Sequence, residues 1–144
     1  MDTELGPINI NLWDTAGQER YQSLVPMYSK SSSVAIFVFD QSEKINFQAL
    51  DDMIARAKRD TPEDCEIILV GNKSDLDYGI NQDAVQEWAS AKSLKLLFVS
   101  AKTGKRINDL FEAVVESIIQ KMKKPKAEEP STYLRENNNN NSCC

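Results

Sequence analysis

Histidine is missing altogether, and Lys plus Arg (17) are outnumbered by Asp plus Glu (22), giving a formal charge of −5. Such a balance argues against a general nucleic-acid binder, although a nucleotide site stays open because it needs only local positive charge and backbone N–H groups. Cysteine is scarce: Cys65 stands alone, and Cys143 with Cys144 ends the chain. That distribution supplies neither a disulfide framework nor metal-ligand spacing and reads as reduced thiols. No run approaches the roughly 18 apolar residues of a membrane span. Met1-Asp2-Thr3-Glu4 lacks the basic and apolar regions of a signal peptide, so the expectation is a protein cytosolic as synthesised. Internal repeats are not apparent.

What is present fits one globular domain with a sizeable core: 144 residues, 41% hydrophobic and 27% charged. Short apolar runs alternate with helical patterns, which is how sequential βα units read, so the fold class is α/β with a mostly parallel sheet and helices on both faces. Ile8 to Trp13 alternates at period two and suits a strand, the second arm of a hairpin turning near Gly6-Pro7. Val34 to Phe39 and Ile67 to Val70 are continuous, branch-rich runs, expected as central strands covered on both sides, and Leu96 to Val99 makes a fourth. Phe47 to Lys58, Asp83 to Ala91 and Ile107 to Ile119 carry helical spacing, with Phe111, Val114, Val115 and Ile118 as the last helix's buried stripe. After Ile119 the character changes: a lysine cluster (Lys121, Lys123, Lys124, Lys126), then Glu128, Glu129, Pro130 and a run of asparagines read as a solvated tail. The lysine cluster is either a soluble linker or a feature favouring an anionic membrane surface.

Three segments fall at the C-terminal ends of expected strands, where doubly wound sheets bind their ligands. The first, Asp14-Thr15-Ala16-Gly17, has the loose form D-x-x-G. A carboxylate there can hold Mg²⁺ through water, and the N–H of a glycine without a side chain can approach a terminal phosphate, whereas the bland reading is a helix cap. The others are Asn72-Lys73-Ser74-Asp75 and Ser100-Ala101-Lys102; as isolated peptides they are a polar turn capping a helix and a nonspecific tripeptide.

As a string, Trp13-Asp14-Thr15-Ala16-Gly17-Gln18-Glu19, with Arg20 and Tyr21 behind it, resembles the switch-two signature of the Rab branch of Ras-like small GTPases. The resemblance covers Ile8 to about Ile119, with Leu110-Phe111 as further support, and it implies the P-loop NTPase (small G protein) fold. It also implies GTP or GDP as ligand, Mg²⁺ as cofactor and hydrolysis of GTP, with Gln18 orienting the attacking water. Asn72-Lys73-Ser74-Asp75 resembles the guanine motif N-K-x-D. Guanine presents two donors side by side, and one carboxylate with two acceptor oxygens matches them, so Asp75 would select guanine over adenine. The resemblance implies that Asn72 ties neighbouring loops together and that the Lys73 stem lies along the nucleotide. At the third segment, reached through Ser100, the Ala101 N–H would meet the base oxygen and Lys102 would cover the ring. Trp13 and Tyr28 match aromatics of the Rab effector surface, Trp13 alternatively being a half-buried strand aromatic. Cys143-Cys144 resembles the doubly geranylgeranylated Rab terminus, two lipids making a firmer anchor than one.

The family pattern also includes a phosphate loop, G-x-x-x-x-G-K-[ST], a first strand and a first switch ahead of Trp13, where only twelve residues stand. The expectation is a partial GTPase domain over 1–120 and a disordered tail over 121–144 ending in a prenylation site. The sheet is expected to be incomplete: the first strand would lie between Ile8–Trp13 and Val34–Phe39, leaving edges about 9.6 Å apart that must re-pair or destabilise the domain. Three readings stand. One is a Rab-like GTPase regulating vesicle traffic, its recorded sequence truncated; the second is a nucleotide-free prenylated interaction module; the third is a nonfunctional fragment. The implied partners are guanine nucleotide, Rab regulators and effectors, the prenylation machinery and, through C-terminal lipids, the cytoplasmic face of an intracellular membrane, with a cytosolic pool and no nucleic acid.

Overall fold

The computed structural model describes residues 2–3, 6–14, 29–76 and 80–123. Its elements run in the order β1 (Asp2–Thr3), β2 (Gly6–Pro7), β3 (Val34–Asp40), α1 (Phe47–Asp60), β4 (Glu66–Asn72), α2 (Gln82–Ala91), β5 (Lys95–Phe98) and α3 (Ile107–Lys123). Three of these strands form a parallel sheet in the order β3-β4-β5, with Val34 opposite Glu66, Asp40 opposite Asn72 and Gly71 opposite Phe98. Successive strands of equal direction joined through helices are the α/β arrangement that the alternating runs imply.

Period-two alternation along β4 sorts its side chains onto two faces. Ile68 and Val70 join Leu97, Val99, Leu110 and Val114, placing α3 on that face. Ile67 and Leu69 join Ile54, Ala57 and Ala89, placing α1 and α2 on the other. The sheet is therefore doubly wound, and β4 is its centre: Ile68 and Leu69 are both 0% exposed. Burying each such side chain stabilises the fold by roughly 1.5–3 kcal/mol. Local sequence agrees with this packing. Asn46 and Asn81 cap α1 and α2, their side chains accepting from the Ala49 and Ala84 N–H groups at 3.2 Å, and each such cap contributes about 1 kcal/mol. Lys58 and Arg59 occupy the last turn of α1, where the helix dipole favours positive charge.

Gly71 permits a close approach of two aromatic rings across the sheet. Phe39, Gly71 and Phe98 stand opposite one another across β3, β4 and β5, and a Cβ at position 71 would lie 2.5 Å from Phe98 Cδ1 and 3.1 Å from Phe39 Cζ. Gly71→Ala should destabilise the domain by about 1–3 kcal/mol through this overpacking, read as a lower midpoint in urea at an unchanged slope.

Three expectations are corrected. Ile8 to Trp13 forms no strand: the antiparallel hairpin lies earlier, pairing Asp2 with Pro7 and Thr3 with Gly6, so Gly6–Pro7 is its second arm rather than its turn. Gly6 adopts φ 97°, a conformation that favours glycine. The alternation that suggested a strand is met by packing instead. Ile8 and Ile10 are half-buried while Asn9 and Asn11 are exposed, Ile10 packs against the α3-side core, and both isoleucines line a shallow cleft with Asn108, Phe111 and Glu112. Second, β3 is partly covered on both faces, Val34 and Ile36 packing on the α3 side and Phe37 and Phe39 on the side of α1 and α2, but it is not central. Among the described residues it is the sheet's edge, and Val38 is 59% exposed. Third, the buried stripe of α3 is Leu110, Val114, Val115 and Ser117, with Phe111 and Ile118 only half-buried. Ser117 is tolerated inside because its hydroxyl donates to Ala113 O and accepts from Lys95 Nζ, both at 3.0 Å.

α3 continues to Lys123, and 124–144, with Cys143 and Cys144, lies outside the described residues. Among the described residues no helix is long and apolar enough to cross a membrane. Cys65, just ahead of β4, is half-buried, and burial pushes its thiol above the usual range, disfavouring the thiolate.

Candidate functional site

Two of the three motif segments meet at the C-terminal edge of the sheet. The parallel register sets β4 and β5 side by side, and the chain past them stays tied: Val99 N–H donates to Gly71 O and Ser74 N–H to Val99 O, both at 2.9 Å. Side chains then join the loops. Asn72 Oδ1 accepts from Ala101 N–H at 3.0 Å, and Asp75 Oδ1 accepts from the Ser100 hydroxyl at 2.6 Å. The same hydroxyl accepts from Thr103 N–H at 3.1 Å, which fixes the direction in which Ser100 donates. Ser100 is 0% exposed, so it works beneath the surface and through Asp75.

The electrostatics follow from these contacts. The Ser100 hydroxyl holds the Asp75 carboxyl below its ordinary range, partial desolvation working the other way. Asp75 is thus a charged acceptor, its side chain 15% exposed and one oxygen already committed to Ser100; Lys102 Nζ stands 4.0 Å from the other while remaining 80% exposed. A pair this long, with its lysine in solvent, contributes little to stability, and that lysine keeps the freedom to lie over a ligand.

Lys73 and Asp40 make a second, stronger pairing. The Lys73 ammonium bridges to Asp40 Oδ2, and Asp40 Oδ1 accepts from the Ser42 N–H at 2.8 Å and its hydroxyl at 2.6 Å. The Lys73 pairing, followed by the Ser42 bonds, lowers the Asp40 pKa to about 2 from 3.8, and Asp40 raises that of Lys73. Because the folded value is depressed, the contribution is fully present above about 3.8 and is lost as pH falls toward 2. Asp40→Asn should therefore narrow its stability gap to the native chain between pH 5 and 2.5, read by thermal melts at both values. Asp40 went unnoticed in the sequence, although the signal was available: it follows the apolar run Val34–Phe39, the same strand-end position that marked the other segments.

Asp14 and Trp13 end the segment packed along α3, and both are exposed, Trp13 at 65% and outside any strand. Among the described residues no hydrogen bond or ion pair joins Asp14 to Asn72–Asp75 or to Ser100–Lys102. No cluster of three or more acidic, histidine or cysteine side chains with metal-holding geometry occurs among them either. A single exposed carboxylate still suits Mg²⁺, a hard cation that keeps several waters and takes its other ligands from phosphate oxygens. Thr15, Ala16, Gly17, Gln18 and Tyr28 lie outside the described residues.

Comparison with known proteins gives a consistent picture. The model of the Ras family matches residues 1–120. The chain is 33% identical over 116 residues to "Ras-related protein Rab-5B" of Plasmodium falciparum, an alignment covering 81% of this chain and 56% of that protein. It is 34% identical over 114 residues to "GTP-binding protein ypt5" of Schizosaccharomyces pombe, covering 77% of this chain and 54% of that protein. The chain thus spans about half the length of the curated relatives it matches.

Proposed function

This chain belongs to the Ras family as a Rab-like member, and from that premise we propose that its β4 and β5 ends form the base-reading half of a guanine-nucleotide site. Asp75 accepts from the two adjacent donors of guanine, Lys73 and Lys102 cover the ring, Asn72 holds the two loops together until the base arrives, and Ala101 then offers its N–H to the base oxygen while the Ser100–Asp75 bond keeps the loops joined. One observation carries the reading: Ser100 donates to Asp75 and Ala101 donates to Asn72, so residues from two separated motifs share one hydrogen-bonded unit. Since the Ala101 N–H is given to Asn72 here, base binding exchanges that bond for one to the ligand.

In the same reading Asp14 would help to hold Mg²⁺, Thr15, Ala16 and Gly17 would be further nucleotide-binding residues, and Gln18 would orient the water for hydrolysis of GTP to GDP. Mg²⁺ bound there would neutralise charge developing on the phosphates. The exposed Trp13, with Tyr28, would belong to the surface read by Rab effectors. Cys143 and Cys144 receive lipids from the prenylation machinery and hold the protein at the cytoplasmic face of an intracellular membrane, where it regulates vesicle traffic.

The test is equilibrium binding of fluorescent GDP to the 144-residue chain with Mg²⁺, competed with unlabelled GDP, GTP and ATP. The expected result is displacement by GDP and GTP and none by ATP. Equal displacement by ATP, or the absence of binding by a chain that circular dichroism shows to be folded, overturns the reading.

A further inference from the structure

Lys73 is held twice over. Its backbone sits at φ 67°, in the left-handed region that a residue with a Cβ enters only where its surroundings impose it. Its ammonium is bound by Asp40, from a different strand. A surface lysine otherwise keeps a flexible four-carbon stem and many rotamers.

The anchor is itself built. Asp40 ends β3 directly opposite Asn72, which ends β4, and the Gln41 N–H donates to Asn72 O at 3.1 Å. Gln41 is 2% exposed and accepts from Gln82 Nε2 at 3.0 Å, which ties the turn after β3 to the start of α2. The Ser42 N–H and hydroxyl occupy Asp40 Oδ1, leaving Oδ2 directed at Lys73. An incidental ion pair on the surface would have one contact and free partners. This one has a carboxylate fixed by two further donors, on a turn fixed to the two neighbouring elements.

The lysine it fixes stands next to the site. Lys73 adjoins Asn72, and its charge is felt by Asp75. We propose that Asp40, with Ser42 behind it, is a positioning residue of the guanine site, pinning the Lys73 ammonium so that its methylene stem is already laid down as a wall for the purine ring before the ligand arrives. The inference rests on the guanine reading and deepens it by adding β3 to a site otherwise built from β4 and β5. Its physical advantage is preorganisation: a stem already ordered need not lose its freedom on binding.

The experiment is fluorescent-GDP affinity for the 144-residue chain and for Asp40→Asn, Asp40→Glu, Ser42→Ala, Lys73→Ala and the double variant Asp40→Asn with Lys73→Ala, with Asp75→Ala as the control for the guanine reading. Asp40→Asn should weaken binding about fivefold to tenfold. In the Lys73→Ala background the same change should alter affinity by less than about twofold, because the two residues act as one unit. Asp40→Glu, which keeps the charge, should recover most of the loss, and Ser42→Ala should weaken binding by about twofold, leaving Asp40 in place should Asp40→Asn fail to fold. A purely structural Asp40 gives additive losses and no rescue by Glu, and that result overturns the proposal. Unchanged affinity in Asp40→Asn together with a loss in Asp75→Ala also overturns it while leaving the guanine reading intact. Absence of binding by the folded native chain, or indifference to Asp75→Ala, removes the guanine reading and this proposal with it.

Discussion

Asp75→Ala is expected to weaken GDP binding by roughly 10²–10³-fold, the sum of two lost hydrogen bonds to a charged acceptor at about 1.5–3 kcal/mol each, partly recovered by water. The size follows from the site's construction. Ser100 is fully buried and directs its hydroxyl at one Asp75 oxygen, so the carboxylate is oriented before any ligand arrives. The same hydroxyl lowers its pKa and so favours the charged form. Titration calorimetry with GDP measures the loss, and ATP supplies the reference. Asp75→Asn sharpens the argument: a carboxamide keeps one acceptor but places a donor against the guanine amino group, while it matches xanthine, which has a carbonyl at that position. Selectivity should therefore move from GDP toward xanthosine diphosphate, an outcome that a general loss of folding cannot imitate.

Leu69→Ala should destabilise the domain by about 2–5 kcal/mol, and Ile68→Ala by a similar amount, since each empties space on a different covered face of β4. Both side chains are 0% exposed, and they belong to separate cores, Leu69 with Ile54 and Ala89, Ile68 with Leu110 and Val114. Val38→Ala is the matched control. Val38 also lies in a parallel strand of the same sheet but is 59% exposed, so its truncation should cost less than about 1 kcal/mol. Urea unfolding at a common pH compares the three. Equal effects at positions 38 and 69 would mean that β3 is as well covered as β4 and that the centre of the sheet is not where the structure places it. A loss of this size matters to the site, because Asn72, Lys73 and Asp75 hang from the end of β4 and total stabilities of such domains are only about 5–15 kcal/mol.

The regular elements were largely legible because their signals are local. Val34–Phe39 became Val34–Asp40, Phe47–Lys58 became Phe47–Asp60, and Asp83–Ala91 became Gln82–Ala91. Ile8–Trp13 misled because alternation reports which side chains face a core and says nothing of a neighbouring strand. Its isoleucines are half-buried and its asparagines exposed as the pattern requires, yet the covering surface is α3. β3 is the converse case: its continuous apolar run does pack on both faces, yet the run says nothing of whether a further strand pairs beside it, which the whole sheet decides. Within the site, the joining role of Asn72 was legible through family resemblance, and the Asn72–Ala101 bond is consistent with it. The pairing of Asp40 with Lys73 was not, since nothing in the order of residues says that a carboxylate ending β3 meets a lysine that follows β4. Only the parallel register, with Asp40 opposite Asn72, brings them together.

The most direct measurement is the map of backbone amide shifts when GDP and Mg²⁺ are added to the ¹⁵N-labelled chain. The account predicts shifts concentrated at Asn72–Asp75 and Ser100–Lys102, with the Ala101 amide moving most as it exchanges Asn72 Oδ1 for the base, while amides along α1 and at Cys65 stay in place. Shifts centred elsewhere, or saturable binding that leaves the Ala101 amide unmoved, would contradict the claim that the ends of β4 and β5 together read guanine.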